Sequence, residues 1–401
     1  MEQIRLVRLN HKTEGNKYFT ERFGFEKSKK VNAFHRSFPE YSVTPLADLK
    51  ELARMAGVAG IHVKDESWRF GLNAFKVLGG SYAIGSYIAG RLGMDISGLS
   101  CGKMLSSEIR KRLGDITFVT ATDGNHGRGV AWTANRLKQK SVVYMPECTA
   151  AERLDNIRKL GSDAAIMDMP YDDCVRLARE NADKFGWVLI QDTSWEGYEE
   201  IPSLIMEGYT TIGYEIVNQM QGVKPTHVFL QAGVGSMAAA LAAFCADFWK
   251  GSDKPVITIV EPEGADCIFR TAQADDGTLH TTRENMHSIM AGLCCGEPCT
   301  IAWDILKDYA DFFVSMPDYV AAKGMRVLAN PLPGDPKVVS GESGASTSGL
   351  VAEILFNKDY SALKEELGID ADSQIVCIST EGATDRENYR RIVWDGLYPS
   401  F

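Results

Sequence analysis

The sequence has no apolar run long enough to cross a membrane, and its longest candidate, around residues 238–244, is far too short. Residues 1–5 lack the apolar core of a secretory signal. Basic residues are fewer than acidic ones, and the formal net charge of the 401-residue chain is −10. That balance disfavours nucleic-acid binding. We therefore expect a cytoplasmic protein with no membrane and no nucleic-acid partner.

Metal-binding patterns are also scarce. The nine cysteines form no C-x-x-C pair, and no histidine-rich segment accompanies them, so we expect no metal site. Cys294, Cys295 and Cys299 lie close together in the sequence. We favour free thiols in a reducing compartment, but a regulatory disulfide between Cys267 and the Cys294/Cys295 cluster stays open.

Short runs rich in β-branched residues alternate with helical patterns along the chain. Such alternation predicts an α/β fold with open, mostly parallel twisted sheets flanked by helices. The predicted strands are residues 60–64, 117–121, 141–145, 164–167, 187–190, 227–230, 256–260 and 374–378. Helices are predicted over residues 151–160 and 171–185. Residues 91–115 and 262–300 interrupt the alternation and are interpreted as insertions or mobile lids.

A lysine stands between an aromatic residue and an apolar helix start, in the segment Asn73-Ala74-Phe75-Lys76-Val77. A lysine withdrawn from water has a depressed pKa and becomes a nucleophile or base. The same pattern also fits a helix that buries the stem of a lysine and exposes its ammonium. Lys76 is therefore a candidate for covalent catalysis, and Phe75 is either beside the reacting group or part of the core.

The second candidate is a turn that directly follows a predicted strand. It reads Thr122-Asp123-Gly124-Asn125-His126, and a second glycine follows it. Glycines at a strand-to-helix turn let backbone amides converge on an anion. A carboxylate at Asp123 would repel that anion, so Asp123 is either functional or an N-cap of the next helix.

Two further turns follow predicted strands. The first contains a glycine-rich segment that precedes a helix, with the residues Gly233, Val234, Gly235, Ser236 and Met237. This arrangement is typical of phosphate-binding loops, and its G-x-G-x-x-A pattern overlaps weakly with the dinucleotide fingerprint. The second carries Thr380 after the last strand, either at a ligand site or in an ordinary turn.

Taken in order, these motifs resemble those of the fold-type II pyridoxal-phosphate enzymes, the group of tryptophan synthase β, threonine dehydratase and serine racemase. Residues 73–76 resemble the cofactor-lysine motif, and residues 123–127 resemble the S-G-N-H-G substrate loop with Asp in place of Ser. Residues 145–147 with 158–164, 233–237 and 260–265 resemble three further segments of the group. The resemblance extends from about residue 43 to residue 390.

The resemblance implies pyridoxal 5'-phosphate as cofactor, bound covalently to Lys76. It implies that residues 233–237 hold the phosphate, Asn125 the ring hydroxyl and Thr380 the pyridine nitrogen, with Phe75 near the ring. It implies an amino-acid substrate in the 122–126 loop. The group also implies a homodimer. We expect a large cofactor-binding domain of residues 1–95 and 192–401, and a small mobile domain of residues 96–191 that carries the substrate loop.

Three departures from the group pattern resemble the diaminopropionate ammonia-lyase family. They are Asp123 in the substrate loop, a second acidic motif at Asp192, and the insertion at 91–115. That family converts 2,3-diaminopropionate, in either configuration, to pyruvate and two ammonia. Two carboxylates suit a substrate with a cationic β-amine. The resemblance implies that Lys76 and Asp123 are bases for the two isomers, and that Asp192 orients or protonates the leaving amine.

Other readings of the sequence stay open at this point. A threonine/serine dehydratase or a cysteine synthase-like β-replacement enzyme would share the same fold and cofactor. A nicotinamide-dependent oxidoreductase or a nucleotide-binding regulatory protein would rest on the Gly233 loop alone.

Overall fold

The computed structural model describes residues 3–9, 15–147, 149–282 and 286–400. The described residues form two compact units. Unit 1 comprises those within Met1–Gly24, Thr44–Trp68 and Glu215–Phe401, and unit 2 those within Phe25–Val43 and Arg69–Tyr214.

The elements are numbered in chain order. The strands are β1 (Arg5–Arg8), β2 (Leu46–Asp48), β3 (Gly60–Asp65), β4 (Thr117–Ala121), β5 (Lys140–Met145), β6 (Asp163–Ile166), β7 (Val188–Leu189), β8 (His227–Gln231), β9 (Val256–Pro262), β10 (Phe312–Met316) and β11 (Gln374–Ser379). The first α-helices are α1 (Lys17–Phe23), α2 (Phe25–His35), α3 (Lys50–Ala56), α4 (Val77–Leu92), α5 (Cys101–Met104), α6 (Ser107–Leu113), α7 (Asn125–Arg136), α8 (Ala151–Arg158) and α9 (Tyr171–Phe185). The later ones are α10 (Glu200–Gln219), α11 (Ser236–Phe248), α12 (Cys267–Ala274), α13 (Thr300–Tyr309), α14 (Asp318–Ala329), α15 (Glu342–Phe356), α16 (Ser361–Leu367) and α17 (Arg386–Val393). Short 3-10 helices lie at Glu66–Gly71, Ile96–Gly98, Gly251–Asp253, Glu263–Ala265, Ala291–Leu293 and Lys358–Tyr360.

Unit 1 is built on a seven-stranded sheet within the described residues, in the order β1-β10-β9-β8-β11-β3-β2. Its inner pairs are parallel, and the two edge strands β1 and β2 pair antiparallel. Strand β8 is buried along its whole length, as expected where helices cover both faces of a parallel sheet. Because β8 and β11 are parallel neighbours, the turns that follow them lie at the same edge of this sheet.

Unit 2 contains a four-stranded parallel sheet in the order β6-β5-β4-β7. Val119 and Ala121 of β4 pack against Cys174 and Ala178 of α9, all fully buried. This packing fixes the direction of β4, and the turn after its carboxyl end leads directly into α7. Ligand-binding residues in parallel sheets are expected at such carboxyl ends.

The predicted α/β architecture with mostly parallel sheets is confirmed, and each predicted strand is present within a few residues. Strands β1, β2 and β10 were not predicted from the sequence. Strands β1 and β2 are edge strands of four and three residues, too short for a clear alternation. Strand β10 follows α13 so closely that its apolar run resembles the end of that helix. The region 91–115 contains α5 and α6.

Unit 2 contains the whole predicted small domain, residues 96–191, and also residues 25–43, 69–95 and 192–214. The predicted boundaries therefore differ from the compact units. The additional segments join unit 2 through packing: α4, for example, lies against α7, where an added Cβ on Gly129 would be 2.8 Å from the Cα of Val77. The mobility of residues 96–191 stays a prediction.

Candidate active site

Lys76 lies at the start of α4, as the sequence predicted. It occupies the N-cap position of this helix, and the residues that follow, Val77 and Leu78, are buried. Its Nζ donates a hydrogen bond of 2.6 Å to Oδ2 of Asp192, and the two side chains are 19% and 4% exposed. The structure therefore joins two of the predicted catalytic residues in one buried ion pair.

The sequence predicted a depressed pKa for Lys76, but in the structure the pKa of this lysine is raised. Burial alone would lower the pKa of Lys76, but Asp192, the negative charge that Tyr209 carries when ionised, and Asp123 raise it, and the net result lies above the usual value. Burial likewise would raise the pKa of Asp192, but the positive charges that His126 and Lys76 carry when protonated lower it to about 2. Both members of the pair are thus charged at neutral pH, and the prediction of a depressed pKa was wrong for the chain as it stands in this structure.

Asp123 pairs with a residue that the sequence analysis did not single out. Its Oδ2 lies 3.2 Å from Nη1 of Arg153, on α8, and its main-chain oxygen accepts from the same nitrogen at 3.3 Å. The N-cap of α7 is Gly124, and no side chain caps it. The alternative that Asp123 is a helix N-cap is therefore wrong, and its carboxylate is held by a guanidinium instead.

The turn itself is held by Thr122. Its Oγ1 accepts from the amides of Gly124 and Gly127 at 2.9 and 3.1 Å, and the residue is buried. Gly124 has φ 155° and lies under Arg153, whose Cδ would be 3.1 Å from an added Cβ. Both observations explain the glycine here, because a side chain would face strain and a close contact. Asn125 is the first residue of α7 and is partly buried.

His126 lies beside the ion pair. Its Nε2 is 2.7 Å from the carbonyl oxygen of Ile190, and its Nδ1 is 3.8 Å from Oδ2 of Asp192. The side chain is 1% exposed. Burial lowers the pKa of His126 below its usual value; Asp192 opposes this effect and Lys76 adds to it. His126 is accordingly neutral at pH 7 while Lys76 is charged.

Phe75 and Tyr209 pack together beneath the lysine. Their ring centroids are 4.8 Å apart, and both residues are buried. Tyr209, on α10, also interacts electrostatically with Lys76 and Asp192. Phe75 therefore makes core contacts, and its predicted place near a cofactor ring stays a prediction.

In unit 1, the glycine-rich turn joins β8 to α11. Gly235 is the N-cap of α11 with φ 97°, a left-handed conformation that favours glycine. An added Cβ on Gly233 would meet Sγ of Cys295 at 3.1 Å and Cα of Leu293 at 3.2 Å, so only glycine fits there without displacement. The first-turn amides of a helix have no partner within it and bear partial positive charge. This turn can thus hold a phosphate.

The side chains of the other loop residues mostly face the core. Val234, Ser236 and Met237 are at most 8% exposed. Their backbone groups, and not their side chains, are then the parts of the loop suited to an anion.

Thr380 lies at the same sheet edge, directly after β11. Its Oγ1 accepts from Nε2 of Gln231 at 3.3 Å, and the same nitrogen donates to the carbonyl oxygen of Ile378 at 2.8 Å. A hydroxyl that accepts through its oxygen still has its own proton to donate. Thr380 can therefore donate a hydrogen bond to a neutral ring nitrogen.

Three residues that the sequence analysis missed support these groups: Arg153, Tyr209 and Gln231. Gln231 also donates to the carbonyl oxygen of Ser343, at the start of α15. Arg153 and Asp123 are 30 positions apart in the sequence, and Gln231 and Thr380 are 149 apart. No local pattern marks such pairs, so only the folded chain identifies them.

The described cysteines, Cys267, Cys294 and Cys295 among them, form no disulfide with one another. Among the described residues, no group of three or more His, Cys, Asp or Glu could hold a metal ion. None of the helices in that part of the chain has the length and apolar character needed to span a bilayer.

Comparisons with known proteins agree with this geometry. Residues 38–380 match the pyridoxal-phosphate dependent enzyme family. A diaminopropionate ammonia-lyase from Salmonella typhimurium is 49% identical over 370 residues, which cover 91% of each chain. Another from Escherichia coli strain K12 is 46% identical over 390 residues, which cover 96% of each chain.

Solved structures give the same result. The Escherichia coli diaminopropionate ammonia-lyase in complex with D-serine has a TM-score of 0.92 and 42% identity, and the match covers 99% of this chain and 98% of that one. A threonine deaminase from Solanum lycopersicum shares only the fold, with a TM-score of 0.72 and 21% identity over 96% of each chain. The resemblance predicted from the motifs is confirmed. This chain therefore belongs to the pyridoxal-phosphate dependent enzymes and, within them, to the diaminopropionate ammonia-lyase family.

Proposed function

We propose that this protein catalyses the pyridoxal-phosphate-dependent elimination of 2,3-diaminopropionate, in both the D and L configurations. One water is consumed, and the products are pyruvate and two ammonia. The observation that carries the proposal is the presence, in one compact unit, of a lysine and two carboxylates: Lys76, Asp192 and Asp123. A cationic β-amine is recognised by carboxylates, whereas a hydroxyl substrate would need only neutral partners.

Each part of the cofactor has a fitting group in the chain. Lys76 would bind it covalently, residues 233–237 would hold its phosphate at the start of α11, Asn125 would contact the ring hydroxyl, and Thr380 would donate to the pyridine nitrogen. The glycine conformations at this turn and the free donor capacity of Thr380 support the assignment. When bound, pyridoxal phosphate supplies an electron sink for the negative charge left at Cα.

Lys76 and Asp123 divide the removal of the Cα proton between the two isomers. Lys76 takes it from the L isomer at Nζ. Asp123 takes it at a carboxylate oxygen from the D isomer, in which the proton lies on the opposite side of the carbon. The separate partners of the two groups support this division, because Lys76 is held by Asp192 and Asp123 by Arg153.

Asp192 orients Lys76 and stabilises its positive charge. With a pKa of about 2, Asp192 holds no proton at neutral pH, so it is poorly suited to protonate a leaving group. The ammonium of Lys76 carries a proton instead, and it is the group that delivers one to the departing β-amine. Of the two roles open to Asp192, orientation is therefore the one that we propose.

The test is a comparison of substrates. Purified protein loaded with pyridoxal phosphate is given D- and L-2,3-diaminopropionate, serine and threonine, while pyruvate and 2-oxobutyrate are followed. We expect pyruvate from both diaminopropionate isomers at the highest kcat/KM. Efficient threonine turnover with none on diaminopropionate would instead indicate a dehydratase.

Asp123→Asn tests the division of labour. We expect kcat/KM for the D isomer to fall by about 10²-fold or more, since a positioned general base contributes on that scale, while the L isomer is affected much less. Asp115→Asn is the matched control, because Asp115 is 77% exposed at the other end of β4. Equal losses on both isomers would remove the assigned role of Asp123.

We further propose a homodimer, as the family resemblance implies, and a cytoplasmic location, as expected from the sequence. Light scattering coupled to size-exclusion chromatography measures the first property, and cell fractionation the second.

A further inference from the structure

Two side-chain nitrogen atoms lie near the same carboxylate oxygen of Asp192. Oδ2 accepts from Nζ of Lys76 at 2.6 Å, and Nδ1 of His126 lies 3.8 Å away from it. Asp192 and His126 are at most 4% exposed. The buried carboxylate of Asp192 is thus in contact with the ammonium of Lys76, and the imidazole of His126 lies just beyond hydrogen-bond distance from it.

The tautomer of His126 follows from its other contact. The carbonyl oxygen of Ile190 can only accept, so Nε2 must carry the hydrogen of that 2.7 Å bond. When the ring is neutral, Nδ1 then bears a lone pair that points toward a carboxylate. Nδ1 is buried, and it has no hydrogen-bond partner among the residues that the structure describes.

This position is unfavourable for a neutral imidazole. A buried acceptor without a donor has lost the hydrogen bonds that water would give it, and nothing replaces them. A proton on Nδ1 would convert the contact into a charge-assisted hydrogen bond to Asp192. What opposes that proton is burial together with the positive charge of Lys76 on the same carboxylate oxygen.

We propose that His126 is an alternative cationic partner of Asp192, neutral while Lys76 is charged and protonated on Nδ1 when Lys76 loses its charge. The proton count balances: one proton leaves Nζ of Lys76, one is gained at Nδ1 of His126, and Asp192 keeps one cation beside it. His126 acts through Asp192 and is a positioning residue.

The inference goes beyond the proposed function, because it concerns the protonation of the chain itself. If Lys76 acts as a base, its amine must be neutral when it receives the proton. Asp192 would then lose its ion-pair partner in a buried position, which is costly. His126 removes that cost, and both states of Lys76 are accessible without moving the carboxylate into water.

Other charged groups around the imidazole do not supply this cation. Asp123 interacts electrostatically with His126 and Lys76, but it is negative and paired with Arg153. Tyr209 interacts with Lys76 and Asp192, and burial raises its pKa above the usual value, so it is neutral at working pH.

The test is an NMR titration of the full-length chain without added cofactor. Histidine labelled with 13C at Cε1 gives one signal for each of the seven histidines, and His126→Asn identifies the signal of interest. In Lys76→Met we expect the pKa of His126 to rise by about one to two pH units relative to the wild type, the shift expected for removing a charge at this range. Lys76→Arg retains the charge and should give no rise.

Further variants make the result decisive. Asp192→Asn added to Lys76→Met should abolish the rise. His227 is the internal control: it is buried in unit 1 against the carbonyl oxygen of Leu367, and its signal should titrate identically in every variant that folds. Lys76→Gln replaces Lys76→Met if the latter does not fold.

An unchanged pKa of His126 in Lys76→Met would overturn the proposal, since Asp192 would then have taken the proton itself. A rise that persists without the Asp192 carboxylate would also overturn it. Because no turnover is measured, neither result bears on the proposed reaction.

Discussion

Gly129→Ala tests whether close packing of α7 on α4 sets the geometry of the site. Gly129 lies in α7, one turn after His126. An added Cβ would be 2.8 Å from Cα and 3.0 Å from N of Val77, and 3.2 Å from the carbonyl carbon of Lys76. All three atoms are backbone, so no side chain can rotate away.

The magnitude follows from these distances. Carbon atoms in contact are normally about 3.5–4.0 Å apart, so the two helices must separate by about 1 Å. Overpacking of this kind lowers the free energy of unfolding by about 1–3 kcal/mol, and the better helix propensity of alanine raises it by about 1 kcal/mol. We expect a net destabilisation of about 1 kcal/mol. A displacement of about 1 Å at reacting groups can reduce the rate by about 10²-fold, so activity should fall far more than stability.

The assay combines thermal unfolding with the pyruvate assay. Gly90→Ala is the matched control, since Gly90 lies in α4, and an added Cβ there has no atom within 4 Å. This control should be more stable than the wild type by up to about 1 kcal/mol and fully active. The reasoning is refuted if Gly129→Ala matches Gly90→Ala in both stability and activity.

Two further predictions concern ion pairs. Lys64 is fully buried, and its Nζ lies 2.6 Å from Oε2 of Glu215. Lys64→Met removes this ammonium from beside a buried carboxylate and should cost about 3–5 kcal/mol, measured by thermal unfolding. Lys64→Met combined with Glu215→Leu should recover much of the loss, and no recovery would contradict the ion-pair argument. Arg153→Met should lower kcat/KM for D-diaminopropionate about tenfold more than for the L isomer, because Asp123 loses a charge-assisted hydrogen bond. The exposed Arg176→Met is its control, and an unchanged isomer ratio would count against the role of Arg153.

The parallel sheets and the order of the functional turns could be predicted from the sequence. Buried parallel strands are short and rich in β-branched residues, and turns after their carboxyl ends need glycine where backbone amides must converge. Gly124 and Gly235 meet that requirement with positive φ angles. Such signals are local, so they are visible in the chain before it folds.

The partners of the functional side chains could not be predicted in the same way. Arg153 comes from a helix whose sequence has no unusual feature, and Tyr209 from the middle of α10. Whether Asp123 caps a helix or pairs with a guanidinium depends on which donor the fold brings within about 3 Å. That choice is made by packing between elements, not by the spacing of residues within one element.

The protonation of Lys76 is the clearest case of a property that could not be predicted from the sequence, because it depends on partners that the fold brings together. Burial by itself lowers the pKa of a lysine, and from the sequence alone burial was the only effect that could be inferred. The fold adds Asp192 at 2.6 Å, and this carboxylate, together with Tyr209 and Asp123, outweighs the loss of water. Lys76 is then an ammonium that can donate a proton, and it becomes a base only once that charge is gone. The proposed elimination of the L isomer needs both states from Lys76, since a proton leaves Cα and another must reach the departing amine. Asp192 stays ionised beside Lys76, so the ammonium of Lys76 is the more stable of its two states. The same carboxylate keeps Nζ in place in both states.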